Sequence, residues 1–287
     1  MNTSRETVGD LLREWRERRR VSQLDLALEA EISQRHLSFV ETGRAQPSRE
    51  MVLHLAEHLS VPLRERNRLL LAAGFAPTYK ERPLTDPEMS AARHAVERVL
   101  TAHEPYPAIA VDRHWSLVMA NSAASQFFVG IDEALLQPPV NVLRLSLHAQ
   151  GMGPRIANYA EWHRHVIERL QHQIDVSGDS VLLDLLNEFK SYSTSAAMEE
   201  QTNAPSPEFA GVAVPLQLHT PVGVLSFLST TTVFGTPIDI TLSELAIETF
   251  LPADAATAAA LRAMALKRGA IGIVSKAFGR RSALTRT

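Results

Sequence analysis

Apolar positions in the first 75 residues recur at helical spacing. Val8, Leu11, Leu12 and Trp15 lie three and four residues apart and run into Arg16, Arg18, Arg19 and Arg20, which predicts an amphipathic helix with a basic end. Leu24, Leu26, Ala27 and Leu28 fill a short second segment headed by Ser22, whose hydroxyl suits a helix N-cap. Ser33 repeats that signal beyond Glu31 and Ile32, so two short helices meet across a tight connection. The third helix runs from Gln34 to about Thr42 and stops at Gly43, a residue suited to the left-handed conformation that ends helices. Its Leu37 and Val40 face inward, and Gln34, Arg35, Ser38 and Thr42 fall on the other face or at its edges. Ser48 heads a fourth helix with Met51, Leu53, Leu55 and Leu59 as apolar positions, and Pro62 suits the first turn of a fifth that ends near Gly74. The pattern predicts an all-α, five-helix domain over residues 1–75.

Residues 76–87 break the periodicity with Pro, Thr and charge, and a helix over 88–102 follows, which makes 76–104 a linker and connecting helix. The period then changes. Ala108–Val111 and Ser116–Ala120 read as a hairpin around the turn Asp112-Arg113-His114-Trp115, and Asn121 caps a helix carrying Phe127 and Phe128. Helices over 154–174 and 179–200 precede strands at 211–219, 222–234 and 244–251, so residues 105–264 form an α+β domain, an antiparallel sheet flanked by helices. Residues 265–287 lose the pattern and read as a disordered basic tail.

Composition narrows the function. The chain is 45% hydrophobic and 21% charged, the balance of a soluble globular protein. It has no run of 18 apolar residues and no apolar signal-peptide core near its start, so the expectation is a cytoplasmic protein with no membrane partner. The absence of cysteine excludes disulfides, thiolate metal sites and cysteine nucleophiles. Charge is segregated: residues 1–80 carry 13 Lys+Arg against 11 Asp+Glu, residues 81–266 carry 10 against 21, and residues 267–287 carry 6 against none. A protein that meets phosphates at one end and keeps its acidic body away from them has this profile.

The run Ser22-Gln23 through Leu26-Ala27, then Ile32-Ser33, Leu37-Ser38, Glu41, Gly43 and Pro47-Ser48, resembles the Cro/C1 (xenobiotic-response-element, XRE) helix-turn-helix family in register. The resemblance implies double-stranded DNA as partner, Gln23 as a phosphate contact, Gln34, Arg35 and Ser38 as base-reading residues, and Arg44 and Ser48 as backbone contacts. Thr42 lies within reach of the same groove. Glutamine pairs bidentately with adenine and arginine with guanine, each worth roughly 1–3 kcal/mol of discrimination. Glu31 stands where the family places a turn glycine, so either Glu31 takes the left-handed conformation at some cost or the turn differs.

The hairpin followed by Asn121 is similar to the opening of PAS-type sensor domains. Ala108-Ile109-Ala110-Val111-Asp112-Arg113-His114-Trp115, Asn141-Val142-Leu143-Arg144-Leu145, Asn158-Tyr159-Ala160-Glu161-Trp162 and Phe250-Leu251-Pro252-Ala253-Asp254 resemble the MmyB-like ligand-binding domain. That resemblance implies a PAS-like cavity for a fatty acid or another hydrophobic small molecule, with no other cofactor. Trp115, Phe127, Phe128, Leu143, Trp162, Phe227, Phe234 and Phe250 supply apolar surface for such a cavity or for an ordinary core, and Arg144, His148 or Arg155 is available to meet an anionic head group.

Catalytic readings are weaker. His54-Leu55-Ala56-Glu57-His58 matches the H-x-x-E-H zinc-protease spacing but lies in the small helical domain without a third ligand nearby, and Glu161, His163, His165 and His172 read as a solvated helix face. With no phosphate loop and no G-x-S-x-G, no metal site and no enzyme is expected. The expected protein is a ligand-responsive, homodimeric DNA-binding regulator; a second domain serving only dimerisation or protein docking, with a filled core, is the alternative.

Overall fold

In the computed structural model, which describes residues 6–192 and 213–267, hydroxyl caps set the N-terminal helix starts. Thr7 forms a capping box with Asp10 at the head of α1 (Val8–Arg18), and Ser22, Ser33 and Ser48 cap α2 (Gln23–Glu29), α3 (Gln34–Glu41) and α4 (Arg49–His58). The amides of Asp25, His36 and Met51 reach these serine oxygens at 3.1, 3.1 and 3.2 Å. Pro62 precedes α5 (Leu63–Ala72). Glu31 takes the left-handed conformation with φ of 51°, and Ile32 N–H donates to the Ala27 carbonyl at 2.9 Å across that turn. The first of the two expectations for Glu31 therefore holds.

Leu12, Leu26, Leu37, Leu55, Leu69 and Leu70 close the core of this helical region. Two local readings change. Leu24 and Leu28 are exposed, and Ala27 and Ala30 are the residues buried beside Leu26. In α4 the inward stripe is Val52, Leu55, Ala56 and Leu59, which leaves Met51 and Leu53 half-buried.

Gly9 carries a constraint of its own. A Cβ there would lie 2.5 Å from the Val40 carbonyl oxygen and 2.7 Å from that of Glu41, so α1 crosses the end of α3 backbone to side-chain-free backbone. Helix propensity alone favours alanine over glycine by about 1 kcal/mol. The steric conflict is with backbone and cannot rotate away. Gly9→Ala is expected to lower stability by about 1–3 kcal/mol, the range for overpacking, and a raised denaturation midpoint would refute the close approach.

The chain forms two units. The first holds the chain up to Met89 with Gln173–Gly178 and Phe234–Glu244; the second holds Ser90–His172, Asp179–Val233 and the chain from Leu245. The segment read as linker thus divides: 76–89 joins the first unit and the connecting helix α6 (Ser90–Ala102) the second. The Asn67 side chain accepts from the amides of Thr78 and Tyr79 at 2.9 and 3.0 Å and donates to the Tyr79 carbonyl, which lays 78–79 along α5. Arg64 grips Glu81 and Glu244, and Asp239 accepts from Arg82 at 2.9 Å.

The second unit is built on a five-stranded antiparallel sheet in the order β2-β1-β5-β4-β3. Its strands are β1 (Ala108–Val111), β2 (Leu117–Ala120), β3 (Leu216–Thr220), β4 (Gly223–Val233) and β5 (Ala246–Pro252). Register pairs Ile109 with Glu248, Leu216 with Phe227, and Ser229 with Phe250, so these side chains share one face. Against the sequence reading, Phe127 and Phe128 lie in a 3-10 turn after the four-residue α7 (Ser122–Ser125). Residues 240–243 form a helical turn, and the strand expected over 244–251 runs from Ala246 to Pro252.

Among the described residues the unit also carries α8 (Val142–Leu147), α9 (Tyr159–Ser177), whose residues from Gln173 onward belong to the first unit, and α10 (Ser180–Lys190). α9 starts later than expected because Ala157 N–H donates to the Gln217 carbonyl at 2.8 Å, holding 156–157 against β3. Residues 255–267 are helical. The expected tail beyond 267, the end of the second predicted helix at 193–200, and the start of the predicted strand at 211–212 lie outside the described residues.

Candidate DNA-reading surface and ligand cavity

α3 turns Leu37, Val40 and Glu41 inward and leaves Gln34 and Arg35 exposed, with Ser38 at the edge and Thr42 exposed at its end. The guanidinium carbons of Arg35 and Arg44 lie 5.3 and 6.0 Å from the Phe39 ring centroid, so one aromatic ring props both cations. Phe39 was not among the expected site residues. The Thr42 hydroxyl donates to the Ser38 carbonyl at 2.7 Å, and Ser48 is occupied as the cap of α4.

Gln23, the expected phosphate contact, is half-buried, and its amide nitrogen donates one hydrogen bond to Glu41 at 2.7 Å. Glu41, 1% exposed, also accepts two hydrogen bonds from Arg16 at 2.7 and 3.0 Å, with Arg13 at 3.6 Å. Burial alone would raise the Glu41 carboxyl, but the hydrogen bonds from Arg16 and Gln23 and the charges of Arg16 and Arg13 hold it below its ordinary range. The network ties α1, α2 and the end of α3 together.

In the second unit, three buried asparagines position the walls of a cavity. Asn121 caps α7 and donates to the carbonyls of Leu100 and Tyr106; Asn141 caps α8 and donates to the His114 carbonyl; Asn158 accepts from Gln217 N–H and donates to the Pro215 carbonyl. Each spans segments remote in sequence, and each is hydrogen-bonded as a buried amide must be. Asp112 accepts from the amides of His114 and Ser116, and within that turn Trp115 takes φ of 65°.

The cavity lies over the sheet face carrying Ile109, Phe227 and Phe250 and, with the open space at its mouth included, spans about 770 Å³. Trp115, Phe127, Phe128, Leu143 and Trp162 line it with the two phenylalanines of the sheet. Phe127 meets Phe227 edge to face at 5.8 Å, and the Trp162 indole N–H donates to the Ser146 hydroxyl at 2.9 Å. Polar groups at the wall are Ser146, Ser229, Arg169 and Glu248.

These two regions coincide with two known domain families. Residues 7–69 match a helix-turn-helix domain, and residues 92–264 match the MmyB-like transcription regulator ligand binding domain. The chain belongs to the MmyB-like transcription regulators. No curated relative matches it.

The cations anticipated for the regulator's ligand need correcting. Arg144 does not line the cavity; it is closed bidentately on Glu188 at 2.6 Å twice, and that hydrogen-bonded pairing draws the Glu188 carboxyl below its ordinary range. Arg155 donates to the carbonyls of Phe127 and Val129, and the ring nitrogen of His148 accepts from Gln150 N–H. Phe234 belongs to the first unit, not to the cavity. Arg169 is the cation at the wall, and its signal was present: it lies seven residues after Trp162, on the buried stripe with Val166 and Leu170.

The histidine motifs of the regulator resolve into packing. His54 donates to the Ala30 carbonyl at 3.0 Å and meets His58 edge to face. His163 donates to the Phe189 carbonyl, His165 lies on Trp162, and Glu161 accepts from Asn158. Among the described residues no group of three or more His, Asp or Glu side chains is arranged to hold a metal ion, and no helix is long and apolar enough to cross a membrane.

Proposed function

We propose that this transcription regulator binds specific duplex-DNA sites as a homodimer, and that a hydrophobic small molecule of the fatty-acid type, held in the cavity of the second domain, changes its operator affinity. The observation that carries the reading is an apolar cavity inside the domain whose family is named for ligand binding. One recognition helix reads few base pairs, so paired half-sites supply the specificity a regulator needs. Gln34 and Arg35 read base edges, Ser38 and Thr42 sit beside them, and Arg44 and Ser48 meet the backbone.

A ligand acts only through different affinities for two arrangements of the DNA-binding heads. Chain continuity favours such coupling. α9 carries Trp162 and Arg169 at the cavity wall, and its last residues belong to the DNA-binding unit; β4 and β5 bracket Phe234–Glu244, which belongs there too.

Operator selection from a random duplex pool, followed by titration with and without ligand, tests both halves. Gln34→Ala and Arg35→Ala are each expected to reduce discrimination at one base pair by about tenfold to a hundredfold while leaving nonspecific affinity nearly unchanged. Unaltered discrimination would move the reading surface off α3. If chemically diverse ligands that bind the chain by native mass spectrometry all leave operator affinity unchanged, the sensing half fails.

A further inference from the structure

The polar end of the cavity is closed on itself. Arg169 donates to both carboxylate oxygens of Glu248 at 3.2 and 2.6 Å and to the Thr231 hydroxyl at 2.7 Å, and that hydroxyl donates in turn to Glu248 at 2.6 Å. The guanidinium carbon lies 4.4 Å from the centroid of the Trp115 ring, which fixes the plane of the pair. Glu248 is 2% exposed. Among the described residues, Arg169 and Glu248 are the charged side chains at the cavity wall, so the wall carries one positive and one negative charge, already matched.

Two consequences follow for a ligand's head group. A carboxylate that took Arg169 for itself would strand Glu248, 2% exposed, without its countercharge. One that shared Arg169 would stand beside a like charge in a medium of low dielectric. An uncharged polar head meets neither obstacle and finds the Ser146 and Ser229 hydroxyls at the same wall. The neighbouring titratable groups do not alter this balance. On α9, His165 is carried below its ordinary value by burial first and by the Arg169 charge second, against opposing effects of Glu168, Glu248 and Glu161, so it adds no cation at neutral pH. On the β1–β2 turn, Arg113 and His114 face Asp179.

We propose that the cavity selects ligands whose polar head is uncharged, a long-chain alcohol, ester or amide, or a fatty acid in its protonated form, and that the Arg169–Glu248 pair stays closed when the ligand is bound. The inference rests on the reading of the cavity as the ligand site and names the chemical class it takes.

The test is displacement of an uncharged solvatochromic dye from the full chain by decan-1-ol and by decanoate between pH 5 and 8. Decan-1-ol is expected to compete at a concentration at least about tenfold below decanoate at pH 8 and to show no pH dependence. The apparent affinity of decanoate should fall by about tenfold for each pH unit above the ordinary carboxylic-acid range, because only the protonated fraction binds. Glu248→Gln, which leaves Arg169 without its countercharge, should strengthen decanoate binding by at least about tenfold and leave decan-1-ol within about threefold. Decanoate binding at pH 8 as tightly as the alcohol, and lost in Arg169→Gln, would overturn the inference and make Arg169 an anion site. Failure of the dye and both ligands to bind would instead overturn the cavity reading beneath it. The wild-type pH profile decides between these outcomes even if a substitution prevents folding.

Discussion

Glu41→Ala is expected to cost the DNA-binding unit about 3–5 kcal/mol, because it strands a buried arginine. Arg16 is 9% exposed and keeps only the Val21 carbonyl and the exposed Glu17 carboxylate, at 3.8 Å, once Glu41 is gone. A small domain holds about 5–15 kcal/mol in total, so the loss removes much of its margin. Denaturant unfolding followed by the fluorescence of Trp15, which is 5% exposed beside this network, reads the change. A loss below about 1 kcal/mol would mean that water reaches Arg16 and that the pair contributes as a surface bridge does. Replacing both partners, Arg16→Met with Glu41→Leu, should recover most of the stability, since apolar replacement of a buried pair is often neutral.

The same pair predicts a pH response with a definite sign. The Glu41 carboxyl lies below its ordinary value of 4.5 in the folded state. Its contribution is fully present above the unfolded value and is lost as the pH falls through the lower folded one. Wild-type protein should therefore lose stability below about pH 4.5, and the Arg16→Met, Glu41→Leu double variant should lose less over the same range.

What was legible in the sequence is what is local. Ser22, Ser33 and Ser48 announce their helices because a cap is an interaction over three residues, whereas the aromatic residues were legible only as apolar surface for a core or a cavity alike, and it is the sheet register that gathers Phe227 and Phe250 on the face the cavity covers. Charge partners were not legible. Arg144 stands at the right end of α8 for a head group, yet Glu188 closes it from 44 residues away, and nothing in the spacing of either announces the pair. Arg169 and Glu248 do leave a trace, a charge on an otherwise buried helical stripe and a charge between Ile247 and Thr249 in a buried strand; two such violations of the apolar pattern in one domain point to a buried pair. Gly9 leaves none, since its constraint comes from the carbonyls of Val40 and Glu41, whose approach only the packed fold creates.

Phe227→Ala is expected to destabilise the ligand-binding unit by about 3–5 kcal/mol, and bound ligand should restore part of that loss. Phe227 is 1% exposed, sits in the middle of β4 opposite Leu216 and Pro252, and meets Phe127 edge to face at 5.8 Å. Its removal deletes both the transfer free energy of a benzyl group and the aromatic contact. The space it leaves joins the existing cavity instead of forming a sealed void, so a ligand with a bulkier apolar tail can occupy it. Saturation at a hundred times the dissociation constant stabilises the native state by about 2.7 kcal/mol. Calorimetry with and without ligand should thus show a lowered transition that rises further on ligand addition than in the wild type when a branched or aromatic tail is used. A loss below about 1 kcal/mol, with no preference for the bulkier tail, would mean that the cavity walls collapse into the gap and that Phe227 shapes the sheet without shaping the ligand site.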